Sequence, residues 1–151
     1  MDVYRWSTAR YLSTMEVPRS VVRSAPRFAR LALGAAFLSG IASRFGLWGK
    51  GVGYGSFEGF ERYTAEVNAF MPRASIPFLA WTDTAAELGL GLLLVLGIWR
   101  RPVALASAAL LLIFGLAMAL SLGIKSPLDY SVFSASAAAL LLANADETAK
   151  S

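Results

Sequence analysis

The chain has 151 residues and a net charge of +4, and 56% of its residues are hydrophobic while only 16% are charged. Soluble globular domains carry about 25% charged residues, so this composition predicts an integral membrane protein, with the lipid bilayer as its first partner. Cysteine and histidine are both absent, which excludes a disulfide, thiol chemistry, and a zinc or histidine-ligated haem site built from this chain alone. The basic residues crowd one end of the chain. In a membrane protein, such a distribution of basic residues indicates how the chain is oriented in the membrane. The positive charge is therefore not taken to predict a nucleic-acid partner.

The first 27 residues are polar and basic. They lack the apolar stretch of a signal peptide, so residues 1–27 are interpreted as a cytoplasmic or interfacial segment, with Pro18 and Pro26 as breaks. Five arginines lie in it: Arg5, Arg10, Arg19, Arg23 and Arg27.

Four apolar blocks follow and predict a transmembrane domain over residues 28–145. The spans are expected at residues 28–48, 76–99, 103–124 and 128–144. About 20 apolar residues cross the hydrocarbon layer as a helix. The fourth block is shorter and rich in serine and alanine, which favours close helix packing. The predicted fold class is therefore all-α, an integral membrane four-helix bundle, with a polar tail at residues 146–151.

The loop between the first two spans, residues 49–75, predicts a short outer helix. Its opening glycines fit a flexible loop, because no strand precedes them and the spacing of a phosphate-binding loop is not met. Apolar residues then recur at helical spacing, with charged residues mostly on the other side. The apolar face comprises Phe57, Phe60, Thr64, Val67 and Met71. We expect an amphipathic helix, ended by Pro72, that packs over the mouth of the bundle or along the interface.

The lysines and arginines predict the orientation. With four spans, nine of them lie on one side, namely Arg5, Arg10, Arg19, Arg23, Arg27, Arg30, Arg100, Arg101 and Lys150. Four lie on the other side, namely Lys50, Arg62, Arg73 and Lys125. The side richer in positive charge is normally cytoplasmic, so both termini are predicted to be cytoplasmic. A three-span alternative would place the C-terminus outside.

Charged residues inside the apolar blocks form the candidate site. The stretch "WTDTAAELGLGLLLVLGIW" (residues 81–99) places Asp83 and Glu87 on one helix face. Arg44 falls at a similar depth on the preceding antiparallel span, and buried charge is costly unless it is paired. We therefore expect Arg44 to bridge to one or both carboxylates. Polar residues from the outer ends of the last two helices are expected to complete the cluster: Lys125, Asp129, Tyr130 and Ser134.

Three roles for this cluster stay open. It is either a buried ion pair that fixes helix register, or a small site for a quinone ring or lipid headgroup, or part of a proton or ion path. The last is disfavoured because the third span has no matching acid. Neither catalytic residues nor metal ligands are assigned.

Three stretches resemble the DoxX-like family of small four-helix bacterial membrane proteins. They are "RLALGAAFLSGIASRFG", "AAELGLGLLLVLGIWRRPVALASA" and "GIKSPLDYSVFSASAAALLL", and the resemblance covers roughly residues 27–143. It implies a multi-pass bacterial inner-membrane protein with cytoplasmic termini, in a family associated with redox membrane systems that include a thiosulfate:quinone oxidoreductase. By position, Arg44, Asp83 and Glu87 match the polar residues that recur in such helices.

The sequence therefore predicts a membrane accessory or binding subunit of the DoxX type. It would support a redox or envelope complex through other membrane subunits or self-association, and hold a quinone or lipid, with no covalent or metal-bound cofactor. The alternative is the membrane subunit of a quinone-linked oxidoreductase of the thiosulfate:quinone type, which would need a redox partner from another chain. A small transporter is disfavoured because no inverted repeat is visible. Close helix contacts are assigned to Gly34, Gly40, Gly89, Gly91 and Gly97.

Overall fold

A computed structural model describes residues 19–49 and 51–148, and the regular secondary structure of these residues is helical throughout. This confirms the all-α fold class. The helices are α1 (Arg19–Arg44), α2 (Phe57–Val67), α3 (Ile76–Leu96), α4 (Arg100–Leu122), α5 (Lys125–Asp129) and α6 (Val132–Thr148), with a 3-10 turn at Arg73–Ser75 before α3. Predictions for residues 1–18, with Arg5, Arg10 and Pro18, for Lys50 and for residues 149–151 fall outside the described residues.

Local sequence signals account for where the helices begin and end. Gly46 follows α1 with a left-handed φ of 68°, and its N–H donates to the Ser43 carbonyl at 3.2 Å. Gly97 ends α3 in the same way, with a φ of 72°. Both positions suit glycine because other residues meet a steric penalty there. Ser56 is the N-cap residue of α2, and its hydroxyl accepts a hydrogen bond from the Gly59 N–H at 3.1 Å.

Helices α1 and α3 pack antiparallel through glycine contacts. A Cβ atom on Gly34 would lie 3.0 Å from the Gly91 carbonyl oxygen and 2.8 Å from Val95 Cγ2. Earlier in α1 than Gly34, the Arg30 guanidinium lies directly against Gly97. Residues later in α1 thus meet residues earlier in α3. The contacts predicted for Gly34, Gly91 and Gly97 are confirmed, and they allow the two backbones to approach closely.

Helices α4 and α6 form the second antiparallel pair. The Phe133 ring of α6 lies against Gly115, and the Ser136 hydroxyl donates to the Ala108 carbonyl at 2.8 Å. One buried cluster then joins all four long helices, with Phe37 and Leu94 from the first pair. The four long helices therefore share one core cluster, and a second, smaller cluster lies between α2 and α4.

Two helical stretches in the described part are long and apolar enough to cross a membrane. They are Arg73–Leu96 and Arg100–Leu122, and their apolar windows are only 28% and 39% buried. A core helix of a soluble protein would be mostly buried. Here large apolar side chains such as Phe78, Ile113 and Leu120 point outward. This exposure favours contact with lipid.

The helices at the first and fourth predicted spans have different limits from those predicted. Helix α1 begins at Arg19, so the boundary predicted after residue 27 falls inside a helix, and Pro26 lies within that helix instead of breaking it. Proline removes one backbone hydrogen bond, and here the helix continues on both sides of the gap. The apolar part of α6, Val132–Ala145, is shorter than a full span. The first and fourth spans stay predictions.

Candidate functional site

The guanidinium of Arg44 lies at the centre of a buried polar cluster between α1 and α3. Its Nη2 donates to Asp83 Oδ2 at 3.0 Å and to Glu87 Oε2 at 2.7 Å. Its Nη1 donates to Thr84 Oγ1 at 2.9 Å, and Arg44 as a whole is 2% exposed. Arg44 was expected to bridge to one or both carboxylates, and in the structure it contacts both. These four residues are called the Arg44 cluster below.

The α3 sequence explains why the three partners face Arg44. Asp83 and Thr84 are adjacent, and Glu87 follows one turn later on the same face. Thr84 also donates its hydroxyl to the Ala80 carbonyl at 2.7 Å, which leaves its oxygen free to accept from Arg44. Sequence reasoning did not include Thr84, although its spacing of three residues from Glu87 is a signal that could have found it.

Helix α2 covers the cluster. The Arg44 Cζ atom lies 3.7 Å from the centroid of the Phe60 ring, a cation–π contact. Phe60, Thr64 and Val67 are the buried residues of α2, which confirms the predicted packing face at these three positions. Phe57 is only partly buried, and α2 ends at Val67 instead of Pro72, so Met71 lies beyond the helix and is exposed. The Tyr54 ring lies 5.0 Å from the Phe60 ring and extends this cover.

Small residues of α1 make room for the cluster and its cover. A Cβ atom on Gly40 would lie 3.2 Å from Glu87 Oε2, which confirms a close contact at Gly40. The Ser43 hydroxyl accepts a hydrogen bond from the Tyr54 N–H at 2.8 Å. This bond ties the glycine-rich loop to α1 and holds Tyr54 beside the cluster.

The other four predicted site residues lie elsewhere, which corrects the expectation of a single seven-residue cluster. Lys125 and Asp129 form an ion pair with each other, and their side chains are 84% and 57% exposed. Tyr130 is 71% exposed, and Ser134 is also exposed. The physical reason is the helix pairing: α1 packs chiefly on α3, whereas α4 packs chiefly on α5 and α6. Within the described ranges, no hydrogen bond or ion pair joins the two groups.

The Arg44 cluster has unequal charge and incomplete hydrogen bonding. Two carboxylates face one guanidinium, and the buried atoms Arg44 Nε and Asp83 Oδ1 have no hydrogen-bond partner among the described residues. Burial raises the pKa of the neighbouring Tyr54 hydroxyl above its usual range, so Tyr54 stays neutral and contributes no charge. In the part of the chain that the structure describes, no group of acidic residues could hold a metal ion.

An aromatic surface adjoins the cover. The Phe57 ring lies 4.3 Å from the Trp81 ring and 6.0 Å from the Phe45 ring, measured between centroids. Phe45 and Trp81 are 50% and 56% exposed. These three residues, called the aromatic surface below, leave flat ring faces and edges accessible next to the Arg44 cluster.

A separate cleft of about 530 Å³ lies between α2 and the start of α3. Charged side chains such as Glu61, Glu66 and Arg73 line it, together with Met71. No member of the Arg44 cluster lines this cleft, so the cluster is closed to it.

Comparison with known proteins identifies the family. A DoxX family model matches residues 25–120, more than half of the chain. The chain therefore belongs to the DoxX family and is a membrane protein of that type. The match runs from α1 into α4 and includes Arg44, Asp83 and Glu87, whereas α6 lies beyond it. No curated protein and no solved structure matches the chain.

Proposed function

We propose that this DoxX family member is a membrane accessory subunit that binds partner helices, or a second copy of itself, through its outer apolar faces. The observation that carries this proposal is the exposure of large apolar side chains along α3, α4 and the connection between them, including Leu96, Trp99 and Leu116. Such faces suit lipid and helix partners. The chain offers no nucleophile–base pair among its described residues, which makes binding a better fit than catalysis.

The arrangement of the helices supports four spans with both termini cytoplasmic in a bacterial inner membrane. The contact of Arg30 with Gly97 brings the first half of α1 beside the connection from α3 to α4. Arg27, Arg100 and Arg101 belong to this same end of the bundle. The opposite end holds α2 and α5, with fewer basic residues. The end richer in arginine would face the cytoplasm.

In this function the Arg44 cluster fixes the register of α1 against α3. A helix pair held by apolar contacts alone can slide, because lipid is as apolar as the helix surface. The cluster supplies directional bonds to three α3 side chains, and a shift of one turn would break all of them. This makes the bundle a rigid support for partner chains.

Cysteine labelling tests the topology cleanly because the natural chain has no cysteine. Val52→Cys in the glycine-rich loop should react with an impermeant reagent from the outside. Ile98→Cys, between α3 and α4, should react only after the membrane is opened. The reverse pattern would invert the orientation. A C-terminal tag accessible only from outside would remove the fourth span.

Purification in mild detergent tests the accessory role. We expect a fixed partner chain or a defined oligomer to be recovered with the protein, with lipid. A stoichiometric quinone without a partner would instead favour the quinone-linked oxidoreductase. A monomer with neither would contradict the accessory role.

A second candidate function is the binding of a quinone ring or lipid headgroup beside the Arg44 cluster. It is favoured by the buried donor Arg44 Nε and the buried acceptor Asp83 Oδ1, which have no hydrogen-bond partner among the described residues, together with the adjoining aromatic surface. The hydroxyl or carbonyl groups of a planar ligand would complement the two buried polar atoms, and its ring would complement the aromatic surface. Electron transfer would need a redox partner on another chain, since histidine and cysteine are absent.

The test of this second function compares two isosteric changes. Glu87→Gln should leave the protein folded but lower the amount of quinone or lipid that co-purifies. Asp129→Asn, on the exposed surface of α5, is the matched control and should retain the full amount. Equal retention by both variants would rule out binding at the cluster.

A further inference from the structure

The Arg44 cluster contains one more acid than base. Asp83 and Glu87 both accept a hydrogen bond from the same Arg44 nitrogen, at 3.0 and 2.7 Å. The side chains of Arg44, Asp83 and Glu87 are only 3%, 16% and 10% exposed. With every group ionised, the cluster would hold a net charge of −1 away from water.

The neighbouring elements do not supply a second positive charge. Gly40 and Ser43 face the cluster from α1, Phe60 covers it from α2, and Tyr54 approaches it from the loop. Thr84 is its remaining neighbour on α3 and is neutral. Among the described residues, Arg44 is the only cation that forms an ion pair with Asp83 or Glu87.

An uncompensated charge in such surroundings is energetically costly, and a carboxylate there takes up a proton instead of staying ionised. Two carboxylates that share one site bind that proton as a pair. We propose that Asp83 and Glu87 together hold one exchangeable proton beside Arg44, and that α2 controls its access to water.

Proton binding would change the cluster charge from −1 to 0, and proton release would restore −1. The proton comes from water and returns to water, so no oxidant or reductant takes part. The proton site does not depend on a partner chain or on a bound quinone.

The cover by α2 is what would make exchange with water slow. The Phe60 ring lies directly over the guanidinium and is 3% exposed. Tyr54 lies against Phe60 and is held by Ser43. The Asp83 and Glu87 side chains are 16% and 10% exposed with α2 in place, and movement of α2 away from α1 and α3 would open them further to water.

Infrared spectroscopy of the purified full chain at neutral pH tests the proton directly. The wild-type protein should show the carbonyl stretch of a protonated carboxyl group. Asp83→Asn and Glu87→Gln should each abolish it, because either change leaves one carboxylate balanced by Arg44. Asp129→Asn should leave the band unchanged. A wild-type protein without the band, or a band that persists in either cluster variant, would overturn the proposal.

The rate at which this band shifts in heavy water tests the cover. Phe60→Leu keeps the site apolar but removes the ring, and it should exchange several-fold faster than wild type. Phe70→Leu, on an exposed side chain, should exchange at the wild-type rate. An unchanged rate in Phe60→Leu would overturn control by α2. Partner recovery plays no part in either readout, so the accessory role can fail while the proton site stands.

Discussion

Two pairs of charged residues in this protein share the same spacing of four residues, but one pair is buried and the other is exposed. Asp83 and Glu87 carry the same charge, lie between two long helices and converge on Arg44. Lys125 and Asp129 carry opposite charges, lie on the short helix α5 and bind each other in an exposed position. Spacing on one helix determines which side chains are neighbours. The partner helix determines whether those neighbours are buried.

The two pairs should contribute very different amounts to the free energy of unfolding. An exposed ion pair contributes about 0–1 kcal/mol, because water screens it and two long side chains lose freedom. Breaking a buried ion pair by removing one partner costs about 3–5 kcal/mol, because the remaining charge is left without compensation. The Arg44 cluster should therefore dominate the local stability of the α1–α3 pair.

The largest effect is expected from Arg44→Met. This change keeps an unbranched side chain but strands two buried carboxylates, and it should lower the free energy of unfolding by about 3–5 kcal/mol. Denaturant unfolding in mild detergent measures it. Lys125→Met is the matched control and should change the value by no more than about 0.5 kcal/mol. Equal decreases in the free energy of unfolding in the two variants would contradict the difference described between the buried and exposed pairs.

The cover should have the next largest effect. Phe60→Ala removes a buried ring and its contact with Arg44, and it should lower the free energy of unfolding by about 3 kcal/mol. Phe70→Ala removes a ring that is 58% exposed and should have little effect. If thermal unfolding of the Phe60 variant matches wild type, α2 does not seal the cluster.

A smaller effect is expected at the glycine contacts. Gly34→Ala forces a methyl group against the Gly91 carbonyl and Val95, and it should cost about 1–3 kcal/mol. Gly89 is the matched control, because a Cβ atom there meets nothing within 4 Å. Gly89→Ala should be neutral or stabilising by up to about 1 kcal/mol, since alanine favours the helix. A larger loss at Gly89 than at Gly34 would contradict the contacts described between α1 and α3.

Gly89 also corrects one expectation. The sequence predicts a close helix contact at Gly89, yet within the described chain this residue faces open space. The hydropathy pattern of α3 does not distinguish a glycine that faces α1 from one that faces outward, because both lie in an apolar run.

The bridge between α1 and α3 could be predicted because the cost of burying charge leaves few solutions. Arg44 had two carboxylates at the same depth on the adjacent helix, and antiparallel packing brought them together. The face of α2 was predictable for a similar reason, since its apolar residues recur with a helical period. Both inferences needed only the spacing of residues along one helix and the position of one neighbouring helix.

The composition of the whole cluster could not be predicted in the same way. Lys125, Asp129, Tyr130 and Ser134 share the expected depth, but depth does not specify which pair of helices a residue faces. The helical conformation of residues 19–27 was also missed, because polar residues and Pro26 suggest a break, whereas the helix continues through Pro26 along a largely exposed stretch. Sequence patterns describe each helix separately, whereas pairing depends on all of them.

A double-mutant cycle between Arg44→Met and Asp83→Asn tests the central claim most directly. The free energies of unfolding of the wild type, both single variants and the double variant give the coupling energy, and Lys125→Met with Asp129→Asn gives the surface reference. We expect about 1–3 kcal/mol of coupling for the buried pair, so that the double variant loses less than the two single losses combined, and a value near zero for the surface pair. Strictly additive losses at Arg44 and Asp83 would contradict the buried cluster, and with it the account of how α1 and α3 are held together.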